Sequence, residues 1–267
     1  GHGRYVVDGV PRMRQRPIQP LLDGLRQLGV DVRAEFDNGC PPVIVQGHGL
    51  PGGTARVQGD ISSQYFSALM QAAPYAQHDV EVLVEGKLVS VPYVEMTAGI
   101  MAEFGVQVQL NGETGFVVAA GQAYQGRDYV VEPDASAASY FFAAAAVSGG
   151  HVRVPYLGQS SPQGDLGLLD VLERMGCRVR RSNDAVELWG PGQLQGVEAN
   201  FERMGDVFST LSAIAPFASG PVVIRGVAQT HYEESDRPVA VATELRRMGI
   251  SVADDHDSVT IQPGRPR

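Results

Sequence analysis

The sequence has little cysteine, and its two cysteines form no motif. Cys40 and Cys177 lie far apart, and neither belongs to a Cys-x-x-Cys pair or to a Cys/His group with the spacing of metal ligands. A disulfide framework and a zinc site are therefore not indicated. A reducing cytoplasm is the compartment that this composition fits best.

The sequence also lacks an excess of basic residues and a long apolar run. Its 21 Lys and Arg are outnumbered by 30 Asp and Glu, so the formal net charge is −9. General nucleic-acid or anionic-membrane binding would need a basic surface, so neither kind of partner is expected. The apolar run at 140–147 is far shorter than the roughly 20 residues of a membrane span, and no signal-peptide pattern is present. We expect a soluble, unexported protein whose anionic ligands are small and locally recognised.

Two series of markers repeat along the chain with a period of about 73 residues. In the first series a glycine ends an amphipathic helix and a short strand follows, because glycine allows the left-handed cap that stops a helix. In the second series an aspartate precedes a more apolar helix and acts as its N-cap. The glycines are Gly29, Gly105, Gly176 and Gly249, and the aspartates are Asp60, Asp134 and Asp206. Both series keep the same phase, so chance similarity is a weak explanation.

The repeat predicts an α/β (α+β) fold. Each unit would contain a capped helix, a strand, a polar loop, an amphipathic helix and two further strands, and about three and a half units are present. The chain would begin at the polar loop of a unit, which leaves a unit face without a neighbour. We therefore expect pieces to be missing at the N-terminus, with the C-terminus as a second candidate.

One predicted helix start is rich in small polar side chains. In "GDISSQYFSALMQAAP" (59–74) the apolar residues have helical spacing, which puts Ser62, Ser63 and Gln64 in the first turn behind Asp60. A helix N-terminus presents unpaired N–H groups and the positive end of the helix dipole, so it attracts anions. An ordinary cap explains an isolated case equally well.

The polar loops that precede the second helix of each unit carry further candidate residues. Taken singly, each is best explained as a solvated surface, but their recurrence at one position predicts a shared anion-binding cleft. The residues are Arg12, Arg14 and Arg16 in the first loop, Ser90 and Tyr93 in the second, Ser160, Ser161 and Gln163 in the third, and Glu233, Glu234, Asp236 and Arg237 in the fourth.

Seven ordered motifs resemble those of the 5-enolpyruvylshikimate-3-phosphate synthase family. They are "DGVPRMRQRPI", "GDISSQYFSALMQAAP", "VPYVEMT", "VEPDASAASYFFAAAA", "PQGD", "MGDVFSTL" and "EESDRPVAVATELRRMG". The resemblance implies a two-domain fold of βαβαββ units, here 1–131 and 132–267. It also implies transfer of the enolpyruvyl group of phosphoenolpyruvate to the 5-hydroxyl of shikimate 3-phosphate, with release of phosphate and without a metal or organic cofactor.

The resemblance also implies a role for individual residues. Ser62, Ser63 and Ser90 would hold the shikimate phosphate, Gln64 would lie between the substrates, and Tyr93 would lie along the shikimate side. Arg16 and Arg237 would bind phosphoenolpyruvate. Asp206 would be the base for the 5-hydroxyl, and Glu234 would handle the proton on carbon. Asp134 would remain a structural cap.

Two alternatives stay open at the level of sequence. One is the sister family that transfers enolpyruvyl to UDP-N-acetylglucosamine, which usually has a reactive cysteine in a loop motif that neither cysteine here matches. The other is a catalytically incomplete fragment or degenerate homologue that only binds a phosphorylated ligand. In the transferase interpretation, a missing segment or a second chain would complete the fold. Glu233 favours the second alternative, because the resembling family usually has lysine at that position.

Overall fold

A computed structural model of the chain describes residues 1–233 and 235–267. It divides into two compact units, unit 1 (Gly1–Asp128) and unit 2 (Tyr129–Arg267). The division falls a few residues before the boundary predicted at 131 and 132. Within the described residues, no helix has the length and apolar character that would let it cross a membrane.

Unit 1 is built from ten helices and strands in which short strands and amphipathic helices alternate. They are β1 (His2–Val7), α1 (Gln19–Gln27), β2 (Asp31–Ala34), β3 (Val43–His48), β4 (Gly53–Gln58), α2 (Gln64–Ala72), β5 (Val80–Glu85), α3 (Val91–Glu103), β6 (Gln109–Leu110) and β7 (Gly115–Val118). The strands form two sheets, in the orders β1-β3-β2 and β4-β5-β7-β6. Only the β4–β5 pairing is parallel among these described strands.

Unit 2 repeats this arrangement. Its elements are α4 (Ala135–Ser148), β8 (His151–Pro155), α5 (Leu168–Arg174), β9 (Arg178–Arg181), β10 (Ala185–Trp189), β11 (Val197–Asn200), α6 (Phe208–Ile214), β12 (Val222–Arg225), α7 (Arg237–Arg247), β13 (Val252–Asp254) and β14 (Ser258–Ile261). The sheet orders are β8-β10-β9 and β11-β12-β14-β13. Here β11 and β12 pair in parallel, as β4 and β5 do in unit 1.

The sheet orders confirm the predicted α/β repeat and add to it. The stretches from β4 to β7 and from β11 to β14 are complete βαβαββ units, and the two three-stranded sheets have the order of the last three strands of such a unit. The unit predicted from the sequence lacked its first strand, which is β4 in one unit and β11 in the other. No strand was predicted before the first polar loop, where β1 lies. All four marker glycines have positive φ, between 82° and 103°, as a left-handed helix stop requires.

Each unit has its own apolar core beneath its sheets. In unit 1, Phe66 of α2 and Phe116 of β7 are fully buried in one cluster. In unit 2, Phe142 of α4 and Phe208 of α6 lie in a second cluster with the inward side chains of β10 and β12. Burial of a phenylalanine side chain contributes about 1.5–3 kcal/mol, so these residues fix how the helices lie on the sheets.

Helix α4 is apolar on both of its faces. Phe142 is 2% exposed, whereas Tyr140 is 65% and Phe141 63% exposed. Val147, one to two turns further along, is also exposed. A helix that is apolar all round is normally buried all round. The exposed residues Tyr140, Phe141 and Val147 are called the α4 stripe below.

A charged network covers the other face of the unit 2 sheet. Glu187 of β10 is buried, and its carboxylate accepts hydrogen bonds from His151 of β8, at 3.2 Å, and from Arg180 of β9. Beside it, the ring of Trp189 stacks on His151 with ring centroids 4.4 Å apart. The guanidinium of Arg178 lies over the indole of Trp189, 4.0 Å from the ring centroid.

This network predicts an acid-sensitive contribution to stability. Burial raises the pKa of Glu187, but the hydrogen bonds from Arg180 and His151 outweigh it and hold that pKa below the usual 4.5. A carboxylate whose pKa is lowered by folding stabilises the fold above its unfolded-state pKa, and this stabilisation is lost as pH falls through the folded-state value. We expect Glu187→Gln to lower stability near pH 7 and to reduce its fall towards pH about 4. Urea unfolding followed by Trp189 fluorescence measures both, and parallel curves for the two proteins would contradict the prediction.

Candidate functional site

In unit 1 the chain folds so that α2 and α3 begin side by side. Gly59 donates to the carbonyl of Glu85 and accepts from the N–H of Val89, both at 3.0 Å. A Cβ on Gly59 would lie 2.7 Å from a methyl of Val84 and 2.8 Å from the carbonyl oxygen of Lys87, so only glycine fits this close approach. The segment that leads into α2 is thereby held against the segment that leads into α3.

A second contact keeps the two helices in register one turn further on. The hydroxyl of Ser67 on α2 lies 2.8 Å from the hydroxyl of Thr97 on α3, and Thr97 also donates to the carbonyl of Tyr93 at 2.7 Å. Hydroxyl pairs of this kind satisfy polar groups between packed helices. The first turns of α2 and α3 therefore lie next to each other.

The predicted polar triplet lies at the start of α2. Ser63 is the N-cap residue and is buried, Gln64 is the first helical residue and is exposed, and the Ser62 hydroxyl accepts from the Gln64 N–H at 3.3 Å. The prediction that Asp60 caps α2 is wrong. The backbone hydrogen bonds of Gly59 to Glu85 and Val89 hold the chain at that point. Asp60 lies in a bend, and the helix begins only at Gln64.

Ser90 occupies the equivalent place at the start of α3. It is the N-cap residue and has left-handed backbone angles, φ 52° and ψ 40°. Its carbonyl accepts from the N–H of Tyr93 at 3.1 Å, so Tyr93 lies on the first turn of α3 and is half-buried. A serine in this backbone region is uncommon and strained, which indicates that the surrounding segments impose its position.

The loop that carries Arg16 lies against the same end of α2. Arg16 follows a 3₁₀ turn, Met13–Gln15, and its N–H donates to the carbonyl of Met13 at 3.2 Å. Tyr65 of α2 donates its hydroxyl to the carbonyl of Pro17, the next residue after Arg16. Unit 1 thus brings Arg16, the serines and Tyr93 to one end of the α2–α3 pair.

Chemically, this end of unit 1 suits a small anion. The starts of two helices contribute the positive ends of their dipoles, and Ser62, Ser63 and Ser90 contribute hydroxyls. Arg16 contributes a guanidinium, whose planar fork matches phosphate and carboxylate.

In unit 2 the structure brings Asp206 and Arg237 together. The guanidinium of Arg237 donates from Nη1 to Oδ1 of Asp206 at 2.7 Å and to the carbonyl of Gly205 at 3.3 Å. The prediction that Asp206 caps α6 is wrong, because Asp206 lies inside the 3₁₀ turn Gly205–Val207 before that helix. Asp134, by contrast, is confirmed as the cap of α4, since its carboxylate accepts from the Ser136 N–H at 2.8 Å.

The remaining predicted residue, Glu234, lies outside the described residues. Its neighbours on either side are Glu233, half-buried, and Ser235, exposed. Asp236, two residues further on, is the N-cap of α7 and accepts from the Val239 N–H at 3.2 Å. It therefore fixes the start of the helix on which Arg237 is the first residue.

The third polar loop binds an anion from the chain itself. Ser161 and Gln163 both donate to Oε1 of Glu132, at 2.8 and 2.9 Å, and Gln163 also accepts from the Ala135 N–H at the start of α4. This loop was predicted to take part in the shared anion cleft. Ser161 and Gln163 hold Glu132 and satisfy the first turn of α4, and a role for this loop in a shared cleft stays a prediction.

Sequence reasoning gave no role to Glu132 or to His231, and both make several hydrogen bonds. His231 contacts Asp236 at 2.7 Å and the carbonyl of His256 at 3.0 Å. For His231 the available signal was its place two residues before the motif "EESDR". Among residues 1–233 and 235–267, no group of three or more His, Cys, Asp or Glu is arranged to hold a metal ion.

Comparison with known proteins gives one consistent family. The family model described as EPSP synthase (3-phosphoshikimate 1-carboxyvinyltransferase) matches residues 1–267. A 3-phosphoshikimate 1-carboxyvinyltransferase of Nostoc punctiforme is 49% identical over 264 residues, which is 99% of this chain and 62% of the relative. The chloroplastic 3-phosphoshikimate 1-carboxyvinyltransferase 1 of Nicotiana tabacum is 48% identical over 98% of this chain and 53% of the relative.

Solved structures agree on the fold. An EPSP synthase structure from Acinetobacter baumannii has a TM-score of 0.75 at 24% identity and covers 98% of this chain and 60% of the solved chain. At this identity the likeness concerns the fold alone. The chain thus spans about 62% of the length of the Nostoc relative that it matches.

Proposed function

Because this chain belongs to the EPSP synthase family, we propose that it carries out the transfer of the enolpyruvyl group of phosphoenolpyruvate to the 5-hydroxyl of shikimate 3-phosphate. The names of the Nostoc and Nicotiana relatives favour this reaction over transfer to a UDP-sugar. The observation that carries the proposal is the joined pair of helix starts in unit 1, which bear three serines and to which the loop of Arg16 is tied through Tyr65 and Pro17.

In the proposed reaction the shikimate phosphate binds to Ser62, Ser63 and Ser90. Hydroxyls and helix N–H groups provide neutral donors, which hold a phosphate without requiring a buried cation. Gln64 would reach between the substrates and Tyr93 would lie along the shikimate ring. Arg16 and Arg237 would bind the phosphate and carboxylate of phosphoenolpyruvate through their planar forks.

The chemistry needs two proton-transferring groups. As the 5-hydroxyl oxygen bonds to C2 of phosphoenolpyruvate, Asp206 takes the hydroxyl proton and a proton is delivered to the methylene carbon C3. The resulting tetrahedral intermediate then loses a proton from the same carbon and expels inorganic phosphate, which restores the double bond. We assign the carbon proton to Glu234. The hydrogen bond from Arg237 keeps the Asp206 carboxylate oriented while it works as a base.

Phosphate release tests this proposal. The purified chain is given shikimate 3-phosphate and phosphoenolpyruvate together, each substrate alone, and phosphoenolpyruvate with UDP-N-acetylglucosamine. We expect release only with the first pair. Calorimetric titration with shikimate 3-phosphate accompanies it, so that binding without turnover would restrict the proposal to the binding site. Absence of both would contradict it.

We also propose that a further segment or a second chain covers the α4 stripe in the working enzyme. The stripe supports this, because an apolar helix face of this kind is a site of protein association when it is exposed.

The free thiols of Cys40 and Cys177 support a reducing compartment such as the cytoplasm. Burial raises the pKa of Cys177 to about 11, so this thiol stays protonated. Cell fractionation checks the compartment.

The α4 stripe gives a prediction about self-association. Phe141→Glu should reduce association of the purified chain at least about tenfold and change its stability by no more than about 0.5 kcal/mol, because Phe141 is exposed. Phe142→Glu, the matched variant on the buried face, should prevent folding. Light scattering and thermal unfolding measure the two effects. An unmodified chain that is a monodisperse monomer at all concentrations would contradict the prediction.

A further inference from the structure

The start of α7 is held by a histidine that the sequence gave no role. His231 lies in the 3₁₀ turn Ala228–Tyr232 and its side chain is 17% exposed. Nδ1 lies 2.7 Å from Oδ1 of Asp236, and Nε2 lies 3.0 Å from the carbonyl oxygen of His256. The ring also stacks on the ring of His256, with centroids 5.2 Å apart and planes 9° apart.

Both ring nitrogens of His231 face groups that accept hydrogen bonds. A backbone carbonyl only accepts, so Nε2 must donate to His256. Nδ1 contacts Oδ1 of Asp236, which also receives the N–H of Val239. The ring therefore bridges the β13–β14 hairpin and the N-cap residue of α7.

His256, whose carbonyl contacts Nε2 of His231, lies in a tight turn. In the hairpin between β13 and β14, Asp255 accepts from the N–H of Asp257 at 2.9 Å and from the hydroxyl of Ser258 at 2.8 Å. Asp257 in turn accepts from the N–H of Ala228, the first residue of the 3₁₀ turn that carries His231, at 3.1 Å. The hairpin therefore braces the turn at two points.

Asp236, which contacts Nδ1 of His231, is adjacent to the ion pair between Arg237 and Asp206. Asp236 caps α7, and the next residue, Arg237, donates to Asp206 at 2.7 Å. The turns that carry Asp206 and His231 also pack closely, since a Cβ on Gly205 would lie 3.2 Å from a methyl of Thr230. Movement of Asp236 would shift the first residue of α7 and hence the guanidinium.

We infer that His231 is a positioning residue that ties Asp236 to the β13–β14 hairpin and thereby holds Arg237 against Asp206. This inference deepens the proposed function. Its kinetic test rests on the proposed function, whereas its unfolding test does not. His231 acts through Asp236, and nothing in its role requires contact with a substrate.

The deciding experiment is a double-mutant cycle that does not depend on turnover. His231→Phe keeps a flat ring for stacking on His256 and removes both ring nitrogens, and Asp206→Ala removes the carboxylate that accepts from Arg237. Urea unfolding followed by the fluorescence of Trp189, the single tryptophan, reports on unit 2. We expect the effect of Asp206→Ala on the unfolding equilibrium constant to shrink by more than about twofold in the His231→Phe background. Additive effects, within about twofold, would overturn the inference.

A rescue variant separates positioning from general stabilisation. Arginine offers two planar N–H donors, so His231→Arg should restore the coupling that His231→Phe removes. In the kinetic test, His231→Phe should raise KM for phosphoenolpyruvate about tenfold. His231→Arg should return KM to within about threefold of the value for the unmodified chain. Unchanged KM in His231→Phe, with active protein, would also overturn the inference. If the unmodified chain shows neither turnover nor binding, the proposed function fails, and the unfolding cycle still decides the role of His231.

Discussion

Asp206→Asn is expected to lower the rate of phosphate release about 10³-fold at saturating substrates. Asparagine keeps an oxygen that can accept the hydrogen bond from Arg237, so the 2.7 Å contact and the turn Gly205–Val207 should persist. It cannot take up the proton of the 5-hydroxyl, and a general base typically contributes about 10²–10⁴ in rate. Substrate affinities, measured by titration, should change little.

The chain offers a matched control for this substitution. Asp134 belongs to the same repeated series, but its carboxylate caps α4 through Ser136. Asparagine caps helices about as well as aspartate, so Asp134→Asn should keep the rate within about threefold. A rate within tenfold of the unmodified chain for Asp206→Asn would remove Asp206 from the role of base.

The repeat was predictable because its markers are local. A glycine that ends a helix must tolerate positive φ whatever surrounds it, so Gly29, Gly105, Gly176 and Gly249 were visible in the sequence. The strands that follow the more apolar helices, β5, β8 and β12, were also predicted from a local signal, since they are rich in β-branched residues. The strand β4 was missed, because its buried residues, Ala55 and Val57, make a short and weak apolar alternation.

The positions of caps were less predictable, because the start of a helix depends on distant contacts. Asp60 would be a good cap in isolation, but Gly59 is held by the segment between β5 and α3, and α2 starts later. At Asp206 a side chain from α7 competes for the carboxylate. In Asp134, where no such contact intervenes among the described residues, the local rule was sufficient.

Within the candidate site, the sequence predicted which residue types recur but not what they bind. Ser63 and Ser90 do lie at the starts of neighbouring helices. Ser161 and Gln163 lie in the polar loop that corresponds to the loop of Ser90, yet they hold Glu132. Such contacts join loops about 30 residues apart, and no pattern in a single sequence reports them. The same holds for His231 and His256.

Ser90→Asp should weaken the binding of shikimate 3-phosphate at least about 100-fold. Ser90 is the N-cap of α3 with left-handed backbone angles, and aspartate both caps helices and tolerates that backbone region. The fold should therefore persist. A carboxylate about 5–6 Å from one phosphate charge costs about 3 kcal/mol at an effective dielectric constant near 20, which corresponds to about two orders of magnitude in Kd.

Ser90→Asn isolates the charge as the cause of this loss. Asparagine has nearly the same shape, the same tolerance for left-handed angles and the same capping ability, but it is neutral. We expect it to weaken binding less than about tenfold. Calorimetric titration gives both dissociation constants, and thermal unfolding verifies that both variants fold. Equal losses for the two variants would mean that Ser90 only shapes the start of α3, whereas a large difference would place the phosphate at the paired helix starts of unit 1.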